Sequence, residues 1–265
     1  MKGIIGAIVG DIIGSSREFN PIKTKQFNLL EDNSRFTDDT VLTLAVASWI
    51  INDDDLLQNN LVREMQRLTR RHHNAGYGGR FNEWIMSSNP MPYNSWGNGS
   101  AMRVSPVAWV YDNLEETQIL AKKSAEVTHN HPEGIKGAVA TASSIFLART
   151  GKSKKYIKNY VESTWGYDLS RSLDDIRDDY KFEVSCQKSV PESIICFLES
   201  DSYVDTVRNA VSLGGDADTM SAIGGGIASA YYDVPEDLIE NCLTLLNDDL
   251  LNIYTQYSNK ICNYL

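Results

Sequence analysis

Cysteine is scarce and unpatterned in this chain. Cys186, Cys196, Cys242 and Cys262 form no CxxC pair and no metal-like spacing, which argues against both a zinc knuckle and a disulfide scaffold. With 265 residues, 42% of them hydrophobic, the chain can bury a core without staples. The cysteines read as reduced thiols, and the protein as cytoplasmic. No apolar run reaches membrane-spanning length. Met1 to Gly10 begin like a signal peptide, but Asp11 interrupts the run and no small-residue cleavage site follows, so no membrane partner is expected. Positive charge is outnumbered as well: 25 Lys and Arg against 35 Asp and Glu leave a net charge of -10, which counts against a nucleic acid partner. Linkers rich in Pro, Gly or Ser are missing, so one domain over residues 1–265 is expected. Sustained period-two alternation is missing too, which excludes a sheet and leaves an all-α class.

What the chain does contain is helical spacing. Residues 3–14 mix glycine and alanine with isoleucine, the texture of a helix packed close against its neighbours. Helices are further predicted over 38–51, 56–71, 104–112, 114–128, 133–150, 154–163, 191–199, 203–212, 220–232, 235–246 and 250–261. Residues 72–99 turn to Gly, Asn, Ser, Pro and aromatics and read as a long loop, more often a binding surface than filler. Residues 165–191 are polar and ambiguous.

Two helix starts carry the chemistry. Gly214-Gly215-Asp216-Ala217-Asp218-Thr219 leads into the small, apolar run from Met220, and Phe36-Thr37-Asp38-Asp39-Thr40 leads into Val41. Acids and hydroxyls in a first turn suit plain capping; they equally supply the hard oxygens that Mg2+ or Mn2+ prefer. If the two starts converge, Asp38, Asp39, Asp216 and Asp218 crowd one pocket, where each pair at roughly 4 Å repels by about 4 kcal/mol at an effective dielectric near 20. An EF-hand is excluded, because a loop starting at Asp216 has Ser221 and Ile227 where Gly and Glu are required. Gly97-Asn98-Gly99-Ser100-Ala101-Met102-Arg103 is neither a Walker A nor a dinucleotide fingerprint; it suits either a tight turn or a phosphate cradle. His129 and His131 lack further zinc ligands nearby and read as hydrogen-bonding groups. Asp174-Asp175-Ile176-Arg177-Asp178 has the DDxxD form of prenyl-diphosphate enzymes, but its polar flanks favour a solvated surface.

Five motifs in order, namely Gly10-Asp11-x-x-Gly14 with Glu18, Thr37 to Thr40, Gly97 to Arg103, Thr128-His129 and Gly214 to Thr219, resemble the ADP-ribosylglycohydrolase family across residues 3–232. The resemblance implies a single compact, orthogonal multi-helix domain with two Mg2+ or Mn2+ ions on Thr37, Asp38, Asp39, Asp216, Asp218 and Thr219. It places Asn98, Gly99 and Ser100 along a diphosphate and His129 near a ribose. Catalysis falls to Glu18, Asp38 and Asp216. Some relatives carry an aromatic where this chain has Ala101, so adenine stacking is assigned to Tyr77, Tyr93 or Trp96. The implied reaction removes ADP-ribose from a modified protein side chain or small molecule, the arginine-type N-glycosidic linkage being slightly favoured over the serine-type O-glycosidic one. The rival is a non-catalytic, metal- or ADP-ribose-binding or crystallin-like protein of the same fold.

Overall fold

Three glycines on one helix determine how closely the centre of the molecule packs. The computed structural model describes residues 3–262; Met1, Lys2 and 263–265, which the signal-peptide and domain readings include, lie outside the described residues. Helix α1 (Ile5–Gly14) is buried along its whole length. Gly6, Gly10 and Gly14, four residues apart, share one face. A Cβ at Gly10 would lie 2.1 Å from Ser221 O, and one at Gly14 2.3 Å from Ala217 O. The opposing helix is α12 (Ala217–Tyr231), whose glycines answer in kind: a Cβ at Gly225 would lie 2.5 Å from Gly6 O. The two backbones touch, and Tyr203 Oη donates to Gly6 O at 2.8 Å to fasten the pair from the side.

The other helices wrap this spine. In chain order they are α2 (Asp38–Asn52), α3 (Gln58–Arg71), α4 (Gly79–Met86), α5 (Gly99–Met102), a 3-10 turn at Ser105–Trp109, α6 (Leu114–Glu126), α7 (Pro132–Arg149), α8 (Lys154–Trp165), α9 (Leu173–Arg177), α10 (Cys186–Leu198) and α11 (Tyr203–Ser212), with α13 (Glu236–Leu243) and α14 (Asp248–Cys262) following α12. No strand occurs among the described residues, only an isolated antiparallel bridge between Gly97 and Ser185. Helices α7, α10 and α11 pack on α12, while α2 packs on α3 and α14. Lys260 of α14 donates to Ile50 O at 2.9 Å, occupying a terminal carbonyl of α2. Helix α12 starts after Gly214, whose φ of +64° places it in the left-handed region. Lys23 Nζ donates to Leu213 O at 2.7 Å just before that turn.

Three expectations change. The loop expected over 72–99 contains α4, which buries Phe81, Trp84 and Ile85 at spacings of three and four; at eight residues between glycines and prolines, its pattern is too short to stand out. The helix expected over 104–112 shrinks to the 3-10 turn, because Arg103 and the preceding α5 already turn the chain. Helix α10 begins at Cys186, ahead of Pro191, so that a proline lies inside it; the bond it removes would have gone to the carbonyl of Gln187, an exposed residue.

Adding a methyl group at the spine should be costly. Gly10→Ala is expected to lose about 3 kcal/mol of stability in urea denaturation, whereas Gly79→Ala, with no atom within 4 Å of its new Cβ, should leave the midpoint nearly unchanged. Equal effects of the two substitutions would contradict the close helix contact.

Candidate active site

The spine brings the first turns of α2 and α12 together, and a carboxylate from α1 joins them. Asp11, fully buried, accepts from Thr37 N at 2.9 Å, Thr40 N at 3.1 Å, Thr37 Oγ1 at 2.7 Å and Thr40 Oγ1 at 2.5 Å. It satisfies donors at the start of α2 from outside that helix. Thr37 Oγ1 in turn accepts from Asp39 N at 3.2 Å, and Asp38 N donates to Ala75 O at 2.8 Å. On the other side, Asp39 Oδ2 accepts from Thr219 Oγ1 at 3.2 Å, and Asp216 Oδ2 accepts from Asn98 Nδ2 at 2.7 Å.

Carboxylate oxygens of Asp11, Asp39 and Asp218 lie within 4.8 Å of one another, as do those of Glu18, Asp216 and Asp218. Two groups of three therefore share Asp218. Burial raises every one of these carboxyls, and for all but Asp11 the neighbouring carboxylate charges add to it. Asp39 and Asp38 are held well above the usual carboxylate range by burial and then by the Asp218 charge. Asp218 is likewise raised by burial and then by Asp216. Glu18 is pushed up to about 8 by burial and by Asp218, and Asp216 to about 6, burial outweighing the hydrogen bond from Asn98. Asp11 is raised by burial against the bonds from Thr37 and Thr40. Asp39 Oδ1 and Asp218 Oδ1 are buried without a hydrogen-bond partner. Orphaned hard oxygens among crowded acids fit a divalent cation.

The acids form the floor of a cleft of about 420 Å³. Gly97, Asn98, Gly99, Arg103 and His129 line one wall; Gly76, Gly78, Gly79, Arg80, Phe81 and Tyr93 also face the cleft, with Phe182 and Val184 at its mouth. His129 is buried, with Nδ1 2.7 Å from Thr128 Oγ1. The Ser100 hydroxyl donates to Gly134 O at 2.6 Å, and the residue is not among those lining the cleft. Of the three aromatics assigned to adenine, only Tyr93 lines the cleft, with Arg80 stacked 5.0 Å from its ring. Tyr77 lies behind Phe81, and Trp96 is exposed outside the lining. His131 caps α7 by accepting from Glu133 N. The DDxxD stretch is surface structure: Asp175 completes a capping box with Ser172, and Asp174 pairs with Arg177.

The motifs by themselves assign no role to Asp11, Phe81 or Phe182. Asp11 does carry a signal, as an acid inside an otherwise apolar helix. Phe182 has none, because its position depends on how the polar segment 166–185 folds back over the cleft.

A family model for ADP-ribosylglycohydrolases matches residues 1–261. The chain belongs to the ADP-ribosylglycohydrolase family. It is accordingly a hydrolase of glycosidic bonds. Among relatives, it is 25% identical to human ADP-ribosylhydrolase ARH3 over 82% of this chain and 77% of that one. It is 22% identical to the ADP-ribosylarginine hydrolase Tri1 of Pseudomonas putida, over 87% and 70% respectively. A solved structure described as an ADP-ribosylglycohydrolase-related protein complex superposes with a TM-score of 0.73 at 22% identity, over 96% of this chain and 94% of that one, a likeness of fold. Among the described residues no helix is long and apolar enough to cross a membrane.

Raised carboxyls set the sign of a pH dependence in this glycohydrolase. Between about pH 4, where the unfolded acids ionise, and the folded values of about 6 for Asp216 and about 8 for Glu18, the folded state binds more protons than the unfolded one, so stability falls as pH rises. In EDTA, urea midpoints should decline from pH 5 to pH 8, and Asp218→Asn should flatten the slope. A midpoint that rises over that range would show that the acids do not strain the metal-free fold.

Proposed function

We propose that this chain removes ADP-ribose from a modified side chain, in the cytoplasm, by hydrolysis at the anomeric carbon, with two Mg2+ or Mn2+ ions held by Thr37, Asp38, Asp39, Asp216, Asp218 and Thr219. The observation that carries this reading is the pair of carboxylate triads sharing Asp218 at the floor of one cleft, with orphaned oxygens on Asp39 and Asp218. Bound there, divalent cations would offset the carboxylate charge and act as Lewis acids toward ribose hydroxyls and water.

The chain's own groups supply the rest. Glu18, half-buried beside Asp218 and lining the cleft, is placed to hold or take a proton of the reacting water. Asp38 and Asp216 would orient the reacting ribose and water from either side, Asp216 being steadied by Asn98. Gly97 and Gly99 keep the wall beside His129 free of side chains, since a Cβ on Gly99 would come within 3.3 Å of His129 Nε2; a diphosphate fits along such a wall and would position the anomeric carbon over the acids. Tyr93 and Phe81 offer flat faces for a base.

The arginine-type linkage is favoured over the serine-type by the mouth of the cleft. Phe19 and Phe182 stack there with centroids 6.2 Å apart and 25° between planes, 78% and 51% exposed, next to Glu18. A planar guanidinium stacks on aromatic faces in a way a serine side chain does not.

The test is release of free ADP-ribose from arginine- and serine-linked substrates in Mg2+, Mn2+ or EDTA. Metal-dependent release is expected, lost in Asp216→Ala, and a Phe19→Ala, Phe182→Ala double variant should cut the arginine rate about tenfold while sparing the serine rate. No release from either substrate, despite bound metal and ADP-ribose, would instead support a non-catalytic or crystallin-like role.

A further inference from the structure

Arg103 is fully buried, yet it has only one engaged nitrogen. Its Nη2 donates to Thr128 Oγ1 at 2.8 Å and to Ser124 O at 3.2 Å, while Nε and Nη1 have no partner. A guanidinium only donates, so Thr128 Oγ1 must accept from it. The other neighbour of that oxygen is His129 Nδ1 at 2.7 Å. Thr128 is fully buried and its hydroxyl has no further acceptor among the described residues. If Nδ1 carried a proton, Thr128 Oγ1 would accept twice and bury its own proton unpaired, a costly arrangement. The hydroxyl proton therefore points at Nδ1, and the ring proton resides on Nε2.

We propose that Arg103 and Thr128 are positioning residues that lock His129 as the neutral Nε2–H tautomer, so that the cleft wall presents a fixed donor and takes an acceptor oxygen of the ligand beside Gly99. Nε2 meets no protein partner among the described residues and faces the space left open by Gly97 and Gly99. The neutral form is reinforced because burial, and then the Arg103 charge, hold the imidazole well below its usual range. The relay makes this donor independent of the acids on the cleft floor. That the acceptor belongs to an ADP-ribosyl group rests on the function proposed above; the tautomer does not.

Long-range nitrogen–proton NMR correlations of 15N-histidine protein at pH 7 should show His129 with a bare Nδ1 and a protonated Nε2. The Nδ1–H tautomer or an imidazolium in the wild type would overturn the proposal whatever the protein hydrolyses. By calorimetry, Thr128→Val should bind ADP-ribose about tenfold more weakly, with KM raised more than kcat is lowered, and Thr128→Ser should restore both tautomer and affinity. An equal loss for ADP places the acceptor on the diphosphate, and a loss confined to ADP-ribose places it on the terminal ribose; either supports the donor. A Thr128→Val protein with unchanged tautomer and affinity would refute the relay. Wild-type protein that binds no ADP-ribose would remove the function reading and leave the tautomer to be decided by the spectrum alone.

Discussion

Carboxylates held close together without compensating charge are the constraint from which the rest of this structure follows. Asp11, Asp38, Asp39, Asp216 and Asp218 form no ion pair among the described residues. Their repulsion, desolvated beneath a cleft, is a free-energy cost that only protons, cations or rigid packing can oppose. The fold supplies the packing. Glycines at Gly6, Gly10 and Gly14 of α1 and at Gly225 of α12 let the two helices come into backbone contact, so Asp11 is brought within reach of Asp218, and the start of α2 is drawn onto the same site.

Asp11 links architecture to chemistry. It rises from the middle of the buried α1 and takes four donors from Thr37 and Thr40, so the first turn of α2 is fastened to the spine and not merely capped by its own Thr37. That leaves the side chains of Asp38 and Asp39 free to face the cleft. On the other side Asn98, carried by the Gly97 to Gly99 loop, holds Asp216, so the wall that would face a diphosphate is hydrogen-bonded directly to the floor that would face a cation. The isolated bridge between Gly97 and Ser185, with Asn98 N donating to Val184 O at 2.7 Å, ties the mouth to the same unit.

Much of this is legible in the sequence because it is local. Acid-and-hydroxyl helix starts, glycine-rich turns and apolar periodicity each announce themselves within a few residues, which is why Thr37 to Asp39 and Asp216 to Thr219 stand out from the amino-acid order alone. What stays hidden depends on long-range placement. The hydroxyl of Ser100 belongs to a promising motif but is claimed by Gly134, thirty-four residues away. Trp96 is adjacent to that motif and turns outward, while Phe182 comes from a polar segment with no periodicity and lines the mouth. Proline, which reads as a helix start at Pro191, is accommodated five residues into α10 because the backbone group it abandons is at the surface.

One small contact beneath the cleft wall has consequences for reactivity. The thiol of Cys186 donates to Gly97 O at 3.0 Å, and burial pushes its pKa up to about 12. Such a sulfur is almost never a thiolate at neutral pH, and the thiolate is the form that attacks electrophiles and is oxidised. Cys196 and Cys242 are also buried, leaving Cys262 as the exposed thiol among the described residues. The loop that would grip the ligand is thus supported by a sulfur that alkylating reagents and peroxide cannot readily reach, and a cysteine-directed inhibitor would label α14 while leaving the cleft untouched.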